Sequence, residues 1–173
     1  MGLAEIQQTI VDSESKSSAD QVIASGPWEF NAEVTQVFDD MISRSIPGYG
    51  ELRKLINQIS SNSIKADSVV SDLGCSTGLA IENLRHKLPL STEFYGFDIA
   101  EEMVAASKSK FAEFSNVKIK KLDLEEPFEL PMSDLILSIF TIQFLKLNCK
   151  KSVMENIFKS LKPGGDFILA EKN

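Results

Sequence analysis

Histidine occurs once in this chain, at His86, and cysteine twice, at Cys75 and Cys149. That is too few imidazoles and thiolates for a Cys/His zinc centre, and two cysteines without a pairing pattern give no disulfide framework. Positive charge is also scarce: Lys and Arg total 18 against 25 Asp and Glu, for a formal charge of -7. A field of that sign opposes a polyanion, so direct nucleic-acid binding is not expected. No apolar run approaches the roughly 20 residues of a membrane span. The N-terminus lacks the basic segment and apolar core of a secretory signal. Met1-Gly2 opens like a myristoylation site, but Ile6 stands where serine or threonine is required. The expectation is a soluble, cytoplasmic protein with no metal site and no membrane contact.

What is present is ordinary for a globular chain: 173 residues, 43% hydrophobic and 25% charged. That length predicts one domain with a substantial core. Residues 1–26 include the polar run Asp12 to Ser18 and are expected to form a mobile tail. Residues 27–173 are expected to form the single domain, opened by a helical lid over 27–62. In that lid Val34, Val37, Phe38, Met41 and Ile42 recur at helical spacing, as do Leu52, Leu55, Ile56 and Ile59. Between the two helices Pro47-Gly48 breaks the chain beside Arg44 and Tyr49, which places those two side chains on an exposed turn suited to covering a ligand.

From Ser68 onward strands and helices alternate. The predicted strands are 68–73, 92–98, 117–122, 134–140 and 166–170. The fourth, Asp134 to Phe140, is almost continuously apolar, as suits a central parallel strand covered on both faces. Pro89 is expected to close the helix after the first strand, and Lys162-Pro-Gly-Gly165 to form the turn before the fifth. Such alternation implies right-handed crossovers and an open α/β sheet of the Rossmann-like type.

In an open parallel sheet a ligand sits outside the carboxyl ends of the strands. Those ends carry Asp72 to Gly78, Asp98, Asp123 and Ser138 to Phe140. Gly74 and Gly78 allow a tight turn, and the following helix directs free N–H groups at it. Asp98 can accept both hydroxyls of a ribose, Asp123-Leu124 can meet an adenine amino group and ring, and Ile99 and Met103 can pack against the ring's other face. A dinucleotide fingerprint requires G-x-G-x-x-G. This chain has Gly74-Cys-Ser-Thr-Gly78, with Ser76 in the middle, and Asp72 would repel a pyrophosphate while attracting an ammonium. The pattern favours S-adenosylmethionine over NAD(P).

Through Asp72-Leu-Gly-Cys-Ser-Thr-Gly78, Asp98 and Leu161-Lys-Pro-Gly-Gly165 the chain resembles the class I S-adenosylmethionine-dependent methyltransferases. More narrowly it is similar to the carboxy-S-adenosylmethionine synthases, which serve wobble-uridine modification in tRNA. That similarity is carried by Asp40-Met-Ile-Ser-Arg-Ser-Ile-Pro-Gly-Tyr49, Asp72 to Ser76, Thr141-Ile-Gln-Phe144, Pro163-Gly-Gly165 and Glu171-Lys172. The resemblance implies a sheet of order 3-2-1-4-5 that lacks the last two strands of full-length relatives. It also implies cofactor contacts at Tyr49, Gly74, Cys75, Ser76, Asp98, Ile99, Asp123 and Leu124. Asp72, Gly78, Met103 and Ser138 complete the expected cofactor-binding set, and the bound species is S-adenosylmethionine, S-adenosylhomocysteine or carboxy-S-adenosylmethionine.

Two departures follow from the comparison with that family. Ile139 stands where it has an asparagine, and the arginine that pairs with the carboxylate of the carboxylated cofactor lies beyond the last residue here. The first expectation is therefore methyl transfer to a small acceptor, with Tyr49 and Arg44 as candidate catalytic residues. Carboxy-S-adenosylmethionine synthesis from prephenate is the alternative, and a shortened non-catalytic cofactor-binding module the third. A bare fifth strand at the sheet edge predicts a homodimer, or cover by the N-terminal segment.

Overall fold

The computed structural model describes residues 32–172. The expected tail over 1–26, Trp28 and the side chain of Val34 lie outside the described residues. Two helices come first, α1 (Ala32–Ser45) and α2 (Tyr49–Ser63). There follow β1 (Val69–Leu73), α3 (Leu79–Arg85), β2 (Glu93–Asp98), α4 (Glu101–Lys110), β3 (Val117–Lys121), β4 (Ser133–Ile139), a short 3-10 turn (Ile142–Phe144), α5 (Leu147–Ser160) and β5 (Leu161–Ala170). All pairings are parallel and the order is β3-β2-β1-β4-β5, the class I methyltransferase arrangement.

The sheet divides the core in two. Val70, Phe94, Ile119, Leu135 and Leu137 face α2, α3 and α4 through Ile56, Ile81, Leu84, Val104 and Phe111. On the other face Leu73, Phe97 and Ile136 meet Val153 and Ile157 of α5. The central strands β1 and β4 are buried on both sides, which is why β4 reads as a nearly continuous apolar run rather than an alternating one.

Beyond shifts of one residue at strand ends, three boundaries differ from the sequence expectation for a visible physical reason. Helix α3 stops at Arg85, before Pro89, because Lys87 and Leu88 both donate back to the Leu84 carbonyl and close the helix as a turn. Strand β4 ends at Ile139, since Phe140 turns into the left-handed region at φ 57. Strand β5 begins at Leu161 rather than Asp166. Lys162 to Gly165 form a bulge within it: pairing jumps from Ser133↔Leu161 to Leu135↔Asp166, with Gly164 at φ 81 taking the bend.

Candidate functional site

The turn after β1 is built by backbone bonds. Gly74 and Cys75 both donate N–H to the Phe97 carbonyl at 2.8 and 2.9 Å, which ties the ends of β1 and β2 together. Gly74 has φ 73, and a Cβ there would lie 2.1 Å from the Thr141 hydroxyl oxygen. That hydroxyl donates to the Leu73 carbonyl at 2.9 Å and joins the end of β4 to the end of β1. From α4 the Ser107 hydroxyl donates to the Ser76 carbonyl at 2.8 Å. The expected glycine turn is therefore a rigid crossing point of three strands and one helix.

Around it lie two adjoining cavities. The larger, about 490 Å³, is framed by the ends of β1 to β4 and roofed by Phe38, Met41, Ile42 and Ile46. Asp98, Ile99, Met103, Asp123 and Leu124 line it, as do Gly74 and Ser76. The smaller, about 50 Å³, is lined by Tyr49, Asp72, Cys75 and Thr77, and shares Gly74, Ser76 and Ile139 with the first. Ten of the expected cofactor residues thus meet in one region.

Two expected residues do not reach it, and neither does one catalytic candidate. Gly78 at φ 80 serves the entry of α3, where a Cβ would strike the Phe111 ring. Ser138 pairs with Leu73 and so shares its face of the sheet, opposite to Asp72; its hydroxyl is buried there without a partner. Arg44, a catalytic candidate, lies on the outer side of α1 with its side chain 48% exposed and ion-paired to Asp40 at 3.8 Å. It lines neither cavity.

Electrostatics distinguish the carboxylates. Asp72 is 2% exposed, and burial, reinforced by the neighbouring Asp98 charge, pushes it up to about 7. Asp98 is raised by burial, against the pull of backbone N–H groups. Its Oδ2 accepts from Ser76 at 2.8 Å and its Oδ1 from Ala100 at 2.9 Å, so it joins the turn to the start of α4. Asp123 Oδ1 accepts from the Glu125 N–H at 2.8 Å. Burial, with Asp72 and Asp98 adding to it, drives the Cys75 thiol well above its ordinary range, which disfavours the thiolate.

The sequence places Phe38, Met41 and Ile42 in a helical lid and Phe140 at a strand end, but singles out none of them as a site residue. Phe38, Met41 and Ile42 belong to an apolar helical stripe that reads the same whether it faces a core or a ligand. Phe140, Thr141, Gln143 and Phe144 also line the larger cavity. Signs of that wall in the sequence are the strand end at Phe140 and the resemblance motif Thr141 to Phe144. A further anchor, the Thr77 hydroxyl donating to Asp39 at 2.7 Å, holds α1 over the turn.

Among the described residues no cluster of His, Cys, Asp and Glu could hold a metal ion. No described helix is long and apolar enough to cross a membrane.

Comparison with known proteins agrees with this geometry. Residues 71–167 match the family model described as a methyltransferase domain. Carboxy-S-adenosyl-L-methionine synthase of Hydrogenovibrio crunogenus is 30% identical over 151 residues, covering 86% of this chain and 60% of that protein. The protein of the same name from Campylobacter fetus is 35% identical over 149 residues, covering 84% and 62%. The chain thus spans about three fifths of the length of these relatives. An S-adenosylmethionine-dependent methyltransferase of known structure from Clostridium acetobutylicum superposes with a TM-score of 0.62 at 21% identity, over 78% of this chain and 55% of its own. With more than half its length matched by the family model and its strand order that of the class, the chain belongs to the S-adenosylmethionine-dependent methyltransferase family.

Proposed function

We propose that this chain binds S-adenosylmethionine along the carboxyl ends of β1, β2 and β3 and transfers its methyl group to a small-molecule acceptor. Asp72 is the observation that carries the proposal. A carboxylate buried beside a second carboxylate is held near 7, and a ligand ammonium would return it to the charged form. Asp98, next along the cavity, can accept ribose hydroxyls, and Asp123 with Leu124 can receive an adenine, with Ile99 and Met103 on the ring's other face. Bound S-adenosylmethionine supplies a methyl group already activated by its sulfonium, so the chain's own task is to orient and to exclude water. The apolar roof from α1 supports water exclusion. Tyr49 is the candidate for acceptor contact, whereas Arg44 stands outside the cavity.

The names of the relatives favour a second reading, carboxy-S-adenosylmethionine synthesis with prephenate as co-substrate, in a route to modified wobble uridine in tRNA. Two observations weigh against it. Ile139 offers no polar atom, and no Lys or Arg is among the described residues lining the larger cavity. A dianionic substrate drawn out of water needs such a partner. Incubation with S-adenosylmethionine and prephenate, followed by product masses, separates the two. S-adenosylhomocysteine formed only with another acceptor supports methyl transfer, and carboxy-S-adenosylmethionine overturns it. Cofactor binding without turnover would leave a non-catalytic binding module. A cytoplasmic setting and a homodimer through the β5 edge complete the proposal; support for the dimer is the exposed apolar surface of α5 and β5.

A further inference from the structure

Phe140 combines two properties that the proposed function does not use. It has φ 57, a conformation that is costly for a bulky residue with a Cβ. The backbone is held there by the adjacent strand β5, where the Phe140 N–H donates to the Ala170 carbonyl at 2.7 Å. The effect is to direct the ring away from the strand's alternation. It lines the larger cavity, with its centroid 6.3 Å from the Tyr49 ring at an interplanar angle of 34°.

Tyr49 lines the smaller cavity beside Asp72, so the two rings flank the passage where Gly74, Ser76 and Ile139 border both spaces. A ligand with its amine at Asp72 and its ribose at Asp98 must carry its sulfur through that passage. Asp72 is then matched by the amine and Asp98 by hydroxyls, which leaves the sulfonium without a carboxylate of its own. Aromatic rings attract a desolvated cation through their electron-rich faces. Tyr49 already has the Arg53 guanidinium 5.7 Å from its ring centre, so Phe140 is the less committed ring.

We propose that the Phe140–Tyr49 ring pair senses the positive charge on the cofactor's sulfur, with Phe140 as the main contributor. The chain then holds charged S-adenosylmethionine in preference to uncharged S-adenosylhomocysteine. This rests on the cofactor reading above and adds a residue that sets discrimination between substrate and spent product.

The test is calorimetric binding of S-adenosylmethionine and S-adenosylhomocysteine to the wild type, Phe140→Leu and Phe140→Tyr, with thermal midpoints recorded alongside. Leucine keeps apolar bulk and removes the π face, so S-adenosylmethionine should bind about three- to tenfold more weakly while S-adenosylhomocysteine changes less than about twofold. Tyrosine should retain the wild-type ratio. Parallel weakening of both ligands, or no change in either, overturns the inference and leaves the cofactor reading intact. Failure of the wild type to bind either molecule overturns both.

Discussion

Asp72 sits on a β-strand between hydrophobic walls and bears the thermodynamic cost of waiting for a ligand. A free aspartate titrates near 3.9, whereas this one is held at about 7. The folded protein therefore binds the proton more tightly than the unfolded chain. Its contribution to stability is present in full below about pH 4 and is lost as pH rises through 7, a difference on the order of 4 kcal/mol. Without ligand, the thermal midpoint should fall between pH 5 and pH 8, and Asp72→Asn should flatten that slope. Ligand stabilisation should run the other way. Added S-adenosylmethionine should raise the midpoint more at pH 8 than at pH 5.5 in the wild type, and by similar amounts at both in Asp72→Asn. Gly74 makes a second prediction at this scale. Alanine there would be strained at φ 73 and would collide with Thr141, breaking its bond to the Leu73 carbonyl. A loss of roughly 2–4 kcal/mol is expected by denaturant titration. Thr141→Gly in the same chain should recover part of it.

Among the elements, α1 is the one that covers the site. Its apolar residues roof the cavity, and the Thr77 hydroxyl, buried, fastens it to the glycine turn through Asp39. Lys110 of α4 also approaches Asp39, at 4.0 Å. Thr77→Val should cost about 1 kcal/mol and speed amide exchange in α1 while β1 and β4 stay protected; uniform exchange across the chain would overturn this. The contrast shows what was legible in the sequence. Asp72, Gly74, Asp98 and Asp123 could be located because a strand followed by a glycine turn places polar groups at a known end of a parallel sheet. Ser138 misled because the side-chain period of two puts it on the face of Leu73, while Ile139 takes the face of Asp72. Phe140 was invisible as a special position, since an apolar residue ending an apolar strand gives no hint of a left-handed backbone. Strand β5 was misread at its start because Pro163-Gly164-Gly165 has the composition of a turn, and only pairing with β4 makes it a bulge.

For the whole molecule the unresolved balance lies at the β5 side. Phe158 is 78% exposed and Leu147 86%, and both lie on α5 with the partly exposed Met154. Phe167 packs into the α5-side core, so Leu169, two residues on, faces the same way and is left half open. Sedimentation velocity should show self-association, and Phe158→Glu should shift the population to monomer; a wild-type monomer at every concentration would overturn the dimer. The bulge sets terms for whatever meets this edge. Proline has no N–H to offer, and Gly164 turns the backbone out of the ladder. An incoming strand can therefore add hydrogen bonds only along Asp166 to Ala170, the half of β5 nearest the cavity. The same kink that starts the strand acts as a ruler for its neighbour. It would confine a pairing strand to the end of β5 that borders the site.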